Sequence, residues 1–591
     1  MSIAELKKKI DEVDVVSFDI FDTLIVRLYR KPTDLFMHIE ESMEAEGFKH
    51  ARISAEQAAR DIAFKNDIHE ITLEEIYREI HPSYRELMAK ETELEKRMCK
   101  ANPEMQEVFR YAVSKKKTIS ISSDMYLPRD VIEDILHQNG FKGYKIFLLS
   151  SETRRPKITG EMYEDLLRKT GAAPNRILHI GDNRISDYGV PVKAGLNAFR
   201  YEPITDTCGD NLNSAYFALL NKHADKSVAT SILKGMITLD TARHPEKNYW
   251  EQFAYRYAGL TMVGYCRWLK QQFDKEGIKK AYFMLRDGYI VKRVFDFLYP
   301  DFETHEIYGS RRMFLFVRMN KYEDIKEYFT SLIEGVSYRS LFTRLLIDSP
   351  ALYEAYCEKF PHQDDMITDA EEIHRFMKDH EADLLAVGKA ENDLLAEYLR
   401  SIRVSDGKCA IVDLGWRCSM LKGLQAVCTR NDIPHNFYGY YLGTHPFQGK
   451  ELRVASFALN NGKPTDPASI ISSMNSLYVI DILELIFSAP HSSILKLKRE
   501  KGSLIPVHQT ATRDELERQR LSKTILDNVL LFAEEYRAAT EGFPVTISPE
   551  AALLSSYYFN TKVSPFDREM LSRVFVFPGL GDDSVCFPLT K

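Results

Sequence analysis

A carboxylate that closes a short apolar run is a candidate nucleophile, and Asp19 is such a residue. It follows Val15, Val16, Ser17 and Phe18 and opens the turn Ile20, Phe21, Asp22, Thr23, Leu24. Three more groups come in an order that chemistry can use. Ser122, Ser123 and Asp124 end a second apolar run, Lys157 precedes a helix-like stretch from Gly160, and Gly181 leads through Asp182 to Asp187. A carboxylate can attack phosphorus or carbon and hold the transferred group covalently. Phosphate oxygens call for donors and positive charge. Ser123, Thr23 and Lys157 offer these, and the same field stabilises charge in the transition state. A carboxylate and a phosphate repel, and a hard divalent cation relieves that repulsion. Magnesium, Mg2+, prefers oxygen ligands, here Asp19, the Phe21 carbonyl, Asp182 and Asp187.

These groups must be carried by elements that bring them together. Residues 14–28 open as a buried strand and end at an acidic turn. Strands are predicted again over Lys117–Ser122, Lys145–Ser150 and Arg176–Ile180, separated by helix-like stretches such as Pro128–Gln138 and Gly160–Lys169. Alternating strands and helices imply a parallel sheet. In such a sheet the residues at the carboxyl ends of the strands converge on one crevice. Residues 33–112 look almost wholly helical. They read as an insertion, a cap at about 28–112 over that crevice.

In this order the residues resemble the haloacid-dehalogenase (HAD) superfamily over about residues 14–202, one third of the chain. Phe18, Asp19, Ile20, Phe21, Asp22, Thr23 and Leu24 are similar to its first motif. Ser123 is similar to its second, with Ser122 as the alternative register, Lys157 to its third, and Asp182 and Asp187 to its acidic fourth. The resemblance implies a Rossmann-like sheet with a helical cap. It also implies an aspartyl-phosphate at Asp19, a magnesium site, and Asp187 orienting Lys157 or a metal-bound water. One position departs from the pattern. Family phosphatases carry a second Asp two residues after the nucleophile as general acid and base, and here that residue is Phe21. Such assistance is worth about 10²–10⁴-fold, so a weak phosphatase or a binding module is the alternative, with Asp22 the nearest substitute acid. The dehalogenase branch, which lacks that Asp and works without metal, is disfavoured by the acidic pair Asp182 and Asp187. Taken singly, Asp22 or Asp187 would read as a helix cap and Lys157 as a surface lysine.

The rest of the chain says less. Strands are predicted at Ala281–Leu285, Cys409–Val412 and Phe437–Leu442, with a helical tract over 322–400 between them. Arg286, Asp287 and Gly288 follow the first of these strands. Asp413, Gly415, Trp416 and Arg417 follow the second, and Glu484 and His491 lie further on. A strand, a glycine turn and a helix can present backbone N–H groups to an anion. These residues form a candidate second site for an anionic ligand, to which Arg311 and Arg312 would add positive charge. For Trp416 a core or interface anchor is the commoner role, and His491 alone is not a ligand signature. The Pro578 to Gly581 turn lacks a strand before it and a helix after it, so it is no dinucleotide loop. The whole layout resembles a group of large predicted bacterial HAD hydrolases similar to enzymes of surface-polysaccharide biosynthesis, and that resemblance implies glycosyltransferase partners.

Bulk properties bound the answer. A chain of 591 residues exceeds one core. It divides into a HAD-like domain (1–202), a linker or junction (203–249), a second α/β domain (250–510) and a helix-rich segment (511–591). A net charge of −7 argues against a nucleic-acid footprint. No apolar run approaches the roughly 20 residues that span a bilayer, and the first ten residues lack the apolar core of a signal peptide. The 8 cysteines include no CxxC pair, which points to reduced thiols and a cytoplasmic location. The partner expected is a small phosphorylated substrate, with homo-oligomerisation open.

Overall fold

The computed structural model describes residues 3–206, 214–330, 333, 336–345, 349–446, 451–465, 477–576 and 587–589. Cys208, Cys586 and the turn from Pro578 to Gly581 lie outside them. The chain separates into two units, Met1–Lys247 with Glu535–Ile547, and Asn248–Glu534 with Ser548–Lys591.

In the first unit the strands are β1 (Val15–Phe18), β2 (Ile25–Arg27), β3 (Cys99–Ala101), β4 (Thr118–Ser123), β5 (Ile146–Leu149), β6 (Ile177–Gly181) and β7 (Asn197–Arg200). Five of them form a parallel sheet in the order β5-β4-β1-β6-β7. All four residues of β1 are buried, as a central strand covered on both faces requires. Each such apolar side chain contributes about 1.5–3 kcal/mol. The helices of this unit include α1 (Ile3–Asp11), α2 (Asp34–Ser42), α3 (Phe48–Lys65), α4 (Leu73–Glu79), α5 (Leu87–Met98), α6 (Pro103–Ser114), α7 (Glu161–Thr170), α8 (Ser214–His223) and α9 (Val228–Arg243). Val15 and Ile177 pack with Tyr163 and Leu166 of α7. On another side of the sheet, the Phe18 ring lies 5.4 Å from that of Phe109 in α6. The chain steps outward from β1 to β4 and β5, then returns across β1 to β6 and β7. The order therefore reverses beside β1, and ligands of such sheets bind at that reversal.

The expected α/β architecture with inserted helices is present. The insertion comprises α2 to α5, and its stem is the antiparallel pair of β2 and β3, with Arg27 opposite Cys99. Its interior holds a fully buried Arg52, which binds Glu91 of α5 through two hydrogen bonds of 2.8 Å, and Glu91 also accepts from Tyr77 of α4 at 2.8 Å. The insertion thus ends near residue 98, before the 112 read from sequence. The apolar stripe Met105, Val108, Phe109 and Ala112 of α6 is buried in the sheet layer, and periodicity alone does not distinguish a cap helix from a sheet-packing one. Within the segment read as a junction, α8 and α9 belong to this unit, where the buried Ser231 hydroxyl donates to Asp34 at 2.7 Å.

The second unit holds a six-stranded sheet of β8 (Lys280–Leu285), β9 (Glu303–Tyr308), β10 (Cys409–Asp413), β11 (Phe437–Gly443), β12 (Val454–Asn460) and β13 (Lys463–Pro464). The order is β13-β12-β11-β10-β8-β9, parallel except for the edge strand β13. Here the order reverses between β8 and β10. Residues between Phe316 and Leu384 form a separate cluster around Tyr356, Phe360 and Phe376. A hairpin of β14 (Ile494–Glu500) and β15 (Ser503–His508) precedes a mostly helical end. Among the described residues no helix is long and apolar enough to cross a membrane.

Candidate functional site

The Asp19 amide donates to Ile180 at 2.9 Å. This extends the β1–β6 ladder by one rung and fixes Asp19 at its end. Lys157, 3% exposed, donates from Nζ to Asp19 Oδ1 at 2.7 Å and to Asp187 Oδ1 at 2.6 Å. The loop holding Lys157 is set by Asp124, whose carboxylate accepts the Lys157 amide at 2.9 and 3.1 Å. Asp187 has further donors, His179 Nε2 at 3.1 Å and the Asn183 amide at 3.0 Å. Gly181 is needed here, because a Cβ on it would lie 2.5 Å from the Asp187 carboxyl carbon.

His179 is wholly buried in β6 and burial lowers its pKa, so it is neutral. Its Nε2 then carries the hydrogen given to Asp187, and its Nδ1 accepts from Ser17 at 3.0 Å. Ser17 in turn lies 2.9 Å from the Ser122 hydroxyl. Ser122 is thus absorbed by the sheet, and Ser123 is the serine whose hydroxyl has no hydrogen bond among the described residues. Thr23 is buried and its Oγ1 has no partner among the described residues.

Charge balance separates the carboxyls. Burial pushes Asp19 up to about 7 against the pull of Lys157, with Asp187 and Asp182 adding to the rise. Burial likewise lifts Asp182 to about 6, helped by Asp22 and Asp187. Asp187 goes the other way. Burial opposes its charge, but Lys157 and His179 hold it well below the usual carboxylate range. The difference follows from the donors, three on Asp187 against one on Asp19. Lys157, penalised by burial, is kept charged by Asp19 and Asp187. Asp19, Asp182 and Asp187 each offer an oxygen within 4.8 Å of the others. At the neighbouring turn Asp22 adopts a left-handed conformation, φ 59°. The Phe21 ring lies under the Arg27 guanidinium at 4.0 Å, and Arg27 itself binds Glu95 at 2.7 Å.

Ser17 and His179 escaped the sequence reading. Their signal was faint, one polar residue in each of two otherwise apolar strands, Val15–Phe18 and Ile177–Gly181.

In the second unit the predicted residues divide. Arg286 and Asp287 follow β8, and Asp413 ends the adjacent β10. Burial pushes Asp413 up to about 8, with Asp287 adding to it. Burial and Asp287 lift Glu484 to about 7 against the pull of Arg286 and Arg311. These five charges therefore share one neighbourhood. Arg286 contacts Asp287 only weakly, at 3.4 Å. Trp416 is 8% exposed and stacks on His445 at 5.5 Å, and its Nε1 has no hydrogen-bond partner among the described residues. Arg417 is exposed. The His491 ring is held by its neighbours, with Nδ1 donating to the Ser492 carbonyl at 3.1 Å and the ring 4.9 Å from His508. Arg312 does not supply free positive charge. It is buried and bound to Glu391 at 2.6 and 2.7 Å.

No protein-family model and no curated protein matches the chain. Among solved structures it is similar to the L-2-haloacid dehalogenase of Xanthobacter autotrophicus, with 12% identity and a TM-score of 0.26, over 39% of this chain and 98% of that one. It is similar to a mutant HAD-family enzyme of Bacteroides thetaiotaomicron in complex with magnesium and inorganic phosphate, with 13% identity and a TM-score of 0.25, over 32% of this chain and 95% of that one. A predicted phosphoglycolate phosphatase of Haemophilus somnus is similar at 16% identity and a TM-score of 0.24, over 32% of this chain and 84% of that one.

Proposed function

We propose that the first unit is a HAD-like, aspartate-dependent phosphohydrolase or phosphotransferase. The observation that carries this reading is the single ammonium of Lys157 held between Asp19 and Asp187 at the reversal point of the sheet. In this reading an Asp19 oxygen attacks phosphorus, the leaving group departs with the bonding electrons, and water or a second acceptor then cleaves the aspartyl-phosphate. Lys157 and the hydroxyls of Ser123 and Thr23 hold the phosphate. Asp187, fixed by His179 and Asn183, positions Lys157.

The residues fit a magnesium ion. Oxygens within 4.8 Å of one another need only a small closure to the ~3–4 Å spacing of an octahedral shell with bonds of about 2.1 Å. Asp19 and Asp182 would hold it with the Phe21 carbonyl, whereas both oxygens of Asp187 already accept hydrogen bonds. When bound, the ion supplies charge that keeps Asp19 and Asp182 ionised and screens them from the phosphate. The sequence resemblance alone supports a phosphorylated sugar or nucleotide-sugar precursor as substrate, inside the cell and in surface-polysaccharide assembly.

Phe21 favours a second reading, a phosphate-binding module with little turnover. Phosphate release from p-nitrophenyl phosphate and a panel of sugar phosphates separates the two. Release that needs Mg2+ and is lost in Asp19→Asn is expected. Release unchanged in Asp19→Asn removes the nucleophile, while binding of phosphate without release supports the module. Halide release in chelator would instead indicate metal-free dehalogenation.

A further inference from the structure

The second unit repeats the arrangement that marks the site in the first. Its sheet reverses between β8 and β10, and a crevice outside the carboxyl ends of the strands at that point is where doubly wound sheets bind ligands. Arg286 and Asp287 leave β8 there, and Asp413 ends β10 beside them. The turn after β10 is tightly built. A Cβ on Gly415 would lie 2.6 Å from the Gly443 carbonyl oxygen, and the Trp416 carbonyl accepts from the His445 amide at 2.7 Å.

Several groups there have unspent hydrogen-bonding capacity. Asp413 is 6% exposed, yet its carboxylate accepts only its neighbour's amide, Leu414 N to Oδ1 at 2.9 Å, among the described residues. The Glu484 carboxylate makes no ion pair among them, although its charge and those of Arg286 and Arg311 are mutually felt. The Trp416 Nε1 donor is buried without a partner among the described residues. Buried polar groups left unsatisfied destabilise the fold, and a ligand that pairs with them relieves that penalty.

Arg286 also lines a polar crevice of about 30 Å³ with Ser492, Ser493, Thr512 and Glu515. The Glu515 carboxylate is neutralised by Arg518 at 2.6 and 2.9 Å, so it does not repel an anion. Arg518 is itself 5% exposed, with Nη1 unpartnered among the described residues. A guanidinium, hydroxyls and a screened wall suit a phosphate group.

We propose that the second unit carries a separate ligand site for a small phosphate ester bearing hydroxyl groups. Its phosphate lies against Arg286 with the hydroxyls of Ser492, Ser493 and Thr512. Its own hydroxyls are accepted by Asp413 and Glu484.

The test is calorimetric titration of glucose 1-phosphate and of uridine diphosphate glucose into the full chain carrying Asp19→Asn. This leaves the first site unable to turn over, and substitutions confined to the second unit separate binding there from any binding at the first site. Saturable binding of at least one ester is expected, weakened at least tenfold by Arg286→Gln and by Asp413→Asn. Which ester binds identifies a monophosphate or a diphosphate ligand. If Arg286→Gln fails to fold, Ser493→Ala, a smaller change at a half-buried position, should weaken binding in its place. Absence of binding by both esters, or binding unchanged by all three substitutions, overturns the proposal.

Discussion

Lys157 donates to Asp19 at 2.7 Å from a position 138 residues further along the chain. Among the described residues it is the ammonium that faces Asp19, Asp182 and Asp187 together, so one positive charge stands against three carboxylates. The excess is met by protons or by a cation. Asp19 is raised to about 7 and Asp182 to about 6, so the folded state binds more protons than the unfolded one between roughly pH 4 and 7. These two groups therefore lower metal-free stability as pH rises through that window. Protons and Mg2+ compete for the same oxygens, and a ligand of the folded state stabilises by mass action. The rise in Tm on adding Mg2+ should accordingly be larger at pH 8 than at pH 5. A shift that is equal at both, or absent at both, removes the cation from this cluster.

Much of this was legible in the sequence, for physical reasons. Strands buried on both faces are continuous apolar runs, and those at Lys117–Ser122, Arg176–Ile180 and Cys409–Val412 fall within two residues of β4, β6 and β10. The Asp19, Lys157 and Asp187 cluster followed from topology, because parallel strands bring their carboxyl ends together. What the sequence could not show is pairing across the sheet. Nothing in residues 15–18 or 177–181 announces that Ser17 and His179 stand in register and support Asp187. Nor does helical periodicity tell α6, which packs on the sheet, from the helices of the insertion. For Arg312, its neutraliser Glu391 lies 79 residues away, beyond any local pattern.

Phe21 occupies the position from which a general acid would serve the leaving group. A leaving group that needs no proton is indifferent to that loss. The wild-type chain should release phosphate from p-nitrophenyl phosphate far faster than from alkyl phosphates. Phe21→Asp should narrow the gap, raising turnover of alkyl phosphates by about 10²-fold with little effect on p-nitrophenyl phosphate. The nearby Arg27 does not prevent this, since Glu95 already binds it at 2.7 Å. An equal effect on both substrates would show that position 21 does not serve the leaving group.

Gly181 tests the positioning of Lys157 without removing any charge. An added methyl would meet the Asp187 carboxyl at 2.5 Å, so Asp187 must move away from Lys157 and His179. Gly181→Ala should cost about 1–3 kcal/mol of stability in denaturant unfolding and lower phosphate release at least tenfold. Unchanged release in a destabilised variant would mean that Asp187 has only a structural role.

His38 offers a pH test away from the site. It is wholly buried in the first unit. Its Nε2 donates to the Phe543 carbonyl at 2.9 Å and its Nδ1 accepts from the Tyr29 hydroxyl at 2.7 Å. Both nitrogens are satisfied in the neutral ring, and burial lowers the pKa from 6.5 to about 4 against the pull of the Phe543 bond. As pH falls below 6.5 the unfolded chain takes up this proton first. The stability due to neutral His38 is therefore complete above pH 6.5 and declines by about 1.4 kcal/mol per pH unit until about pH 4. Asp19 and Asp182 act in the opposite direction over part of this range, so a single curve does not isolate the effect, but the difference from a variant does. His38→Gln cannot titrate. It should be less stable than wild type at pH 7.5, with the gap narrowing by about 2 kcal/mol at pH 5 in urea unfolding. A gap that stays constant or widens on acidification would show that burial does not hold His38 neutral.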